Sequence, residues 1–275
     1  MTISEILSIK NLQIIKKKEI IDEFKRLGKQ KYSLCTGAKN FDETLGGGFH
    51  SNTKYLIFGA NNTGKTQLCH QLCVQAYLQF SEIIKTYKLK KCQFIFYFDT
   101  ENTFRPERIK QIALNNDLNY NELLRNILVS KVMSNSALLL SLNELEKYLE
   151  MNYTSVLIID TINNHYNSEL ANKTISINRT KTTFLKVLDK LNQVTKDYNL
   201  ITITTAQVTS NINQETSVRA LPVGNLLLNQ YFSEYIYLDI KEQDKRYVQL
   251  VNSLRLPEKR LLYKITSKGI QDYKI

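Results

Sequence analysis

The chain is short of several things, and each shortage narrows what it is. Only four of its 275 residues are cysteine, and no Cys/His cluster surrounds them. Cys69 and Cys73 fall one helical turn apart in an apolar stretch, so they read as buried core thiols rather than metal ligands. There is no run of 18 apolar residues, and the start lacks a basic stretch followed by an apolar one. Both absences predict an intracellular, soluble, reduced protein with no membrane partner. Prolines number three, and Pro222 and Pro257 punctuate loops. No internal repeat is visible, nor any low-complexity segment longer than the lysine triplet at 16–18. Acidic residues are in deficit, with Asp+Glu 26 against Lys+Arg 37 and a formal charge of +11. That surplus favours a polyanionic partner, because clustered Lys and Arg release counterions from phosphates. A generally lysine-rich composition accounts for the same number.

What is present is enough to build a core. Apolar residues make up 43% of the chain, with Tyr 16 and Phe 11, so it is a folded chain with room for one large α/β domain and a small appendage.

One stretch organises the rest: Gly59, Ala60, Asn61, Asn62, Thr63, Gly64, Lys65 and Thr66. It fits the phosphate-loop pattern of Gly, four residues, then Gly-Lys-Ser/Thr, with a strand-like run entering and a helix-like run leaving. Glycines let successive N–H groups and the helix N-terminus point at phosphate oxygens. Lys65 adds a charge near the β- and γ-phosphates, and the Thr66 hydroxyl is placed to ligate Mg²⁺. The stretch reads as a nucleoside triphosphate site.

In chain order, residues 1–30 read as one or two helices, with Ile14, Ile15, Ile20, Ile21, Phe24 and Leu27 near helical spacing and Gly28 as a stop. The core is expected over 31–275. Residues 36–49 form a turn, a short helix carrying Phe41 and Leu45, and a triple-glycine loop. Strands are expected at 54–58, 94–98, 127–129, 156–160 and 200–204, and helices at 67–80, from Pro106 onward, at 136–150 and at 180–198. Residues 163–178 and 209–221 read as polar connections. Three near-alternating runs, 235–240, 247–251 and 261–265, predict antiparallel strands at the sheet edge. The run 156–160 is apolar and ends in Asp160. A carboxylate at the C-terminal end of a buried parallel strand is where a doubly wound sheet places ligand chemistry, and a phosphate loop calls for one in its Mg²⁺ shell.

The motifs now assemble. They are Thr36-Gly with Leu45-Gly-Gly-Gly48, the phosphate loop continued through Gln67, and Asp99-Thr-Glu-Asn-Thr-Phe-Arg-Pro-Glu-Arg-Ile109. To these add the strand ending at Asp160, Gln207-Val208, Pro222-Val-Gly224, and Asn252-Ser with Leu256-Pro-Glu258. In this order and spacing the sequence resembles the RecA/RadA-type recombinase family, archaeal and eukaryotic branch, over roughly residues 33–275. The resemblance implies a RecA-like ATPase core, a doubly wound and mostly parallel sheet with antiparallel edge strands. It implies that residues 59–67 bind ATP, that Thr66 and Asp160 hold Mg²⁺, that Glu101 activates the attacking water, and that Arg108 stacks on adenine. It implies that Gln207 senses the γ-phosphate and passes that state to a DNA-binding loop. Local chemistry keeps blander readings open: Glu101 as a helix cap, Arg108 in an ordinary ion pair, Gln207 as a structural amide. His70 is expected to be a packed core histidine.

Departures from the family pattern matter too. Asn102 stands where the family carries Gly, Ala206 where it carries Asn, and Asn225-Leu226 where it carries Gly-His. The first DNA loop has Tyr166-Asn167 in place of an aromatic–Arg pair, and Lys173 in place of its second Arg. The second loop, 209–221, holds one Arg and no aromatic. Base stacking, about 1–3 kcal/mol per base in single-strand binders, is therefore missing there. DNA contact falls to Lys173, Arg179, Lys181 and Arg219, and should be weak and salt-sensitive. Residues 1–30 are too few for the helix-hairpin-helix domain that relatives carry, and no Phe-x-x-Ala assembly motif occurs.

These features predict a DNA-dependent ATPase of homologous recombination and repair, a paralogue that assists a recombinase filament. Its partners would be single-stranded DNA, with double-stranded DNA open, and recombinase-family subunits as homo- or hetero-oligomer. A full strand-exchange recombinase and a non-hydrolysing ATP-binding adaptor are the alternatives. The nucleus is the expected location if the source is eukaryotic, and the cytoplasm or nucleoid if archaeal.

Overall fold

A computed structural model describes residues 31–87, 95–149, 156–210, 218–242 and 245–273. The helices expected over 1–30, Cys92, Phe94 and the middle of the second loop, 211–217, lie outside the described residues.

Two short strands, β1 (Ser33–Leu34) and β2 (Phe49–His50), pair as a ribbon beside the main sheet, with α1 (Lys39–Thr44) between them. The chain then enters the sheet with β3 (Thr53–Phe58), leaves it through α2 (Lys65–Tyr87), and returns as β4 (Ile95–Asp99). Helices α3 (Pro106–Leu114) and α4 (Tyr120–Arg125) lead to the edge strand β5 (Ile127–Lys131). Next come α5 (Asn135–Leu149), β6 (Val156–Asp160), α6 (Asn164–Ala171), α7 (Ile177–Asp197) and β7 (Ile201–Ala206). A small ribbon, β8 (Val208–Ser210) with β9 (Ala220–Pro222), precedes the short helix α8 (Asn225–Leu228). Four strands close the chain: β10 (Glu234–Glu242), β11 (Lys245–Asn252), β12 (Lys259–Thr266) and β13 (Gly269–Asp272).

The nine-stranded sheet runs β13-β12-β11-β10-β3-β7-β6-β4-β5. From β10 to β5 every pairing is parallel, and from β10 to β13 every pairing is antiparallel. The central strands β4 and β6 are apolar on both faces up to their final aspartates, as parallel strands covered by helices are, while β7 buries threonines at 202, 204 and 205. Their two-residue period divides the interior. Tyr55, Ile57, Ile95, Tyr97, Ile158 and Ile203 face one core with Leu68, Leu72 and Ile109. Leu56, Phe58, Phe96, Phe98, Leu157 and Ile159 face the other with Leu142, Phe184 and Leu188. Helices α5 and α7 cover that second face, buried along Leu138, Leu142 and Leu145 and along Phe184, Leu188 and Leu191. Lys190 Nζ ties the two helices by an ion pair to Glu146 at 2.5 Å.

Two expectations need correction. Residues 163–178 are not simply a polar connection: α6 occupies half of them, and α7 begins at Ile177. The helix is held by Tyr166, whose ring stacks on Phe184 with centroids 4.3 Å apart. The second loop also has structure at its root, the β8–β9 ribbon.

Candidate functional site

The carboxyl ends of β3, β4, β6 and β7 lie side by side on one edge of the sheet, because all four strands are parallel and adjacent in the order β3-β7-β6-β4. Each carries one piece of the site.

From β3 comes the loop 59–64. Thr63 Oγ1 donates to Ala60 O at 2.8 Å, closing the turn. Gly64 has φ +106°, a conformation that favours glycine, while a Cβ there would meet only the end of the Ile265 side chain, at 2.6 Å. Beneath the loop, Tyr263 Oη donates to Thr63 O at 2.5 Å. Helix α2 starts at Lys65 and aims its N-terminus into the loop. Lys65 Nζ donates to Gly59 O at 2.7 Å and Ala60 O at 3.0 Å. An ammonium has three donors, which leaves one N–H for a phosphate oxygen. Burial pulls the Lys65 pKa down, and the Asp160 and Glu101 carboxylates act against it.

From β6 comes Asp160, a buried carboxylate surrounded by hydroxyls. Its Oδ2 accepts from Thr66 Oγ1 at 2.8 Å, Tyr97 Oη at 2.9 Å and Thr103 Oγ1 at 3.3 Å. Its Oδ1 accepts from Thr205. Burial, then the neighbouring Asp160 charge, pushes the Tyr97 phenol up, so it stays a donor. Thr66 and Asp160 together offer adjacent hard oxygens, the donor set that suits Mg²⁺. No group of three or more His, Cys, Asp or Glu side chains capable of holding a metal exists among the described residues. With Thr66 and Asp160 as its protein ligands, the rest of an octahedral shell would be left to water and phosphate oxygens.

From β4 comes the arm carrying Glu101. Asp99 holds it: its carboxylate accepts the N–H groups of Glu101, Thr103 and Phe104 at 3.2, 3.0 and 3.0 Å. Asn102, standing where glycine is usual, adopts φ 58°, a conformation asparagine tolerates better than most residues. Glu101 Oε1 accepts from Thr161 Oγ1 at 2.7 Å and from Gln207 Nε2 at 2.6 Å. Gln207 follows β7, so phosphate loop, Asp160, Glu101 and Gln207 form one connected cluster.

Among the described residues Arg108 pairs with no carboxylate. Its guanidinium donates to Gln67 Oε1 at 2.7 Å, to Thr266 O at 2.6 Å and Ser267 O at 3.1 Å, and also to Gln111. It thus sits between the root of α2 and the β12–β13 turn. His70 is packed as expected, stacked with Tyr97 and accepting the Arg105 N–H at Nε2 (3.1 Å). Burial, aided by the Arg108 charge, lowers its pKa to about 4.

The four expected DNA contacts are all exposed: Lys173 lies just past α6, Arg179 and Lys181 in the first turns of α7, and Arg219 beside β9. The bases of the two loops meet where Gly224 packs on Tyr166, a Cβ there falling 2.9 Å from that ring.

Sequence reading missed Asp99, Thr161, Asn163, Asn164 and Thr205. Their only signal was local: polar residues at or just past the tips of buried strands. Asn163 and Asn164 follow Asp160 by three and four residues and bond to the backbone and to the side chain of Gln207, respectively.

With the geometry in place, comparison with known proteins is informative. The Rad51 family model matches residues 28–273. The chain is 31% identical over 245 residues to the meiotic recombination protein DLH1 of Candida albicans, covering 88% of this chain and 74% of that one. It is 29% identical over 245 residues to the meiotic recombination protein DMC1 of Saccharomyces cerevisiae, covering 88% and 71%. A family match across nearly the whole chain, on a sheet whose strand tips carry a phosphate loop, two carboxylates and a glutamine, settles the assignment: the chain belongs to the Rad51 family of RecA-type recombinases, which act in homologous recombination and repair.

Proposed function

We propose that this chain is itself a DNA-dependent ATPase, and that it works as a recombinase paralogue assisting a strand-exchange filament in the nucleus. Members of the Rad51 family are DNA-dependent ATPases that use ATP with Mg²⁺, bind DNA and form oligomeric filaments. The observation that carries the reading is the cluster from Thr66 to Asp160 at 2.8 Å, from the adjoining Thr161 to Glu101 at 2.7 Å, and from Glu101 to Gln207 at 2.6 Å.

In this reading the N–H groups of residues 59–66 and the third N–H of Lys65 hold the β- and γ-phosphates. Thr66 and Asp160 would hold Mg²⁺, which supplies charge neutralisation to the phosphates when bound. Glu101 orients and deprotonates the attacking water. Arg108, its N–H edge taken up by Gln67 and the β12–β13 turn, offers its face to adenine. Gln207 stands at the root of the second loop and links Glu101 to it. The paralogue role is supported by that loop, which carries one cation and no aromatic over 209–221, while the residue types expected at the ATP site are present in the sequence. Single-stranded DNA is the expected partner, through Lys173, Arg179, Lys181 and Arg219, alongside family subunits.

The test is ATP hydrolysis with and without single-stranded DNA, beside Lys65→Ala and Glu101→Gln. Stimulation that both substitutions abolish supports the reading. ATP binding without turnover overturns it in favour of a nucleotide-binding adaptor. Filaments formed by this protein alone, with strand exchange, would make it a full recombinase.

A further inference from the structure

Asn163 is fully buried and spends its whole side-chain amide on one task. Its Nδ2 donates to Gln207 O and to Val223 O, both at 2.9 Å, and its Oδ1 accepts the Gln207 N–H at 2.8 Å. Val223 N in turn donates to Gln207 O at 3.0 Å. Gln207 and Val223 stand just outside the two stems of the second loop, with the pairs Val208–Pro222, Thr209–Leu221 and Ser210–Ala220 directly beyond. One amide therefore fastens both stems of the loop to the tip of β6.

The next residue extends the fastening. Asn164 Oδ1 accepts from Gln207 Nε2 at 3.0 Å, and its Nδ2 donates to Thr100 O at 2.7 Å. Thr100 adjoins Glu101, and its hydroxyl donates to Thr161 O at 2.7 Å. Stem backbone, Gln207 side chain and Glu101 arm are thus gathered by two successive asparagines. The chemistry calls for an amide: only Asn or Gln presents two donors and an acceptor on one planar group. A carboxylate there would keep the acceptor, lose both donors and face two carbonyl oxygens.

We infer that Asn163 is a positioning residue that makes the stems of the second loop and Gln207 move as one body. DNA engaging the loop then alters the aim of Gln207 at Glu101, and ATP in the site alters the stems. The inference deepens the ATPase reading given above and rests on it for its kinetic arm.

The experiment uses the full chain with Asn163→Asp, which keeps volume and acceptor, and Asn163→Ser, which keeps a donor and an acceptor in less space. Three quantities are read: the affinity for a fluorescent ATP analogue, the ratio of DNA-stimulated to unstimulated turnover, and ATP-dependent hydrogen exchange at the amides of Gln207 and Val223. The expected result is affinity within about twofold of the parent, a stimulation ratio lowered at least about fivefold, and exchange at both amides that no longer responds to ATP. Retained stimulation overturns the inference, and so does a loss of affinity in proportion to the loss of stimulation, which would mark plain structural support. Should the parent show no DNA stimulation, the ATPase reading fails by itself, and hydrogen exchange decides the inference. ATP-dependent protection present in the parent and lost in either variant upholds it. Protection retained in both variants, or absent from the parent, overturns it.

Discussion

Gln207 Nε2 donates to Glu101 Oε1 across 2.6 Å, joining the tip of β7 to the arm that follows β4. Replacing that amide by a carboxylate would set two acids at hydrogen-bond distance. Two like charges there cannot both ionise easily, so the pair holds a proton to higher pH. Gln207→Glu should move the acidic limb of the turnover–pH profile upward by about one unit or more, while Gln207→Ala leaves that limb in place. An unshifted limb in Gln207→Glu would show that Glu101 is not the titrating base.

Asp160 is ringed by Thr66, Tyr97, Thr103 and Thr205 hydroxyls. Hydroxyls rotate, so Asp160→Asn can keep a bonded network by turning one donor into an acceptor. The stability cost should stay near 1 kcal/mol, a fall of about 2–4 °C in Tm, whereas Mg²⁺-dependent ATP binding should be lost. Calorimetry and a Mg²⁺ titration of nucleotide affinity separate the two effects. A large Tm loss with metal response intact would assign Asp160 to the fold alone.

His70 titrates near 4 in the fold against about 6.5 unfolded, so between those values the unfolded chain binds the extra proton. Its contribution is fully present above pH 6.5 and is lost as pH falls towards 4, by about 3 kcal/mol at most. Urea unfolding of the parent and of His70→Gln at pH 7 and pH 4.5 measures this. The variant should lose markedly less stability on acidification, and an equal loss in both would rule the histidine out.

The proposed DNA contact rests on four cations, with no aromatic in the second loop, and should be electrostatic. If Lys173, Arg179, Lys181 and Arg219 each meet one phosphate, the logarithm of affinity for single strands should fall with log salt at a slope of about −3. Arg219→Ala should flatten that slope by about 0.7 without changing sequence preference. A slope near zero would point to contacts that are not phosphate contacts.

The parts legible in the sequence were those fixed by steric or burial demands acting on neighbours in the chain. Gly64 and Lys65 announce the loop, and four apolar residues before Asp160 announce a covered strand. What escaped depends on partners far away. Helix α6 is polar by composition, and it is held by Tyr166 against Phe184 and Gly224. Strand β13 is four residues long and is anchored by Asp272 accepting from Lys39 N at 3.2 Å and Asn40 N at 2.7 Å. Asn163 reaches groups 44 and 60 residues later in the chain. No local pattern encodes such distances.

The bond from Tyr263 to Thr63 spans 200 residues of chain. Contacts of that separation carry a large loop-closure entropy, and pairings of this kind slow folding. The phosphate loop, although announced by eight consecutive residues, thus gains its brace only when β12 docks. During refolding, ATP affinity should return in the slowest phase, after the secondary structure of α2 has recovered. On the proposed reading, nucleotide binding would then report completed assembly.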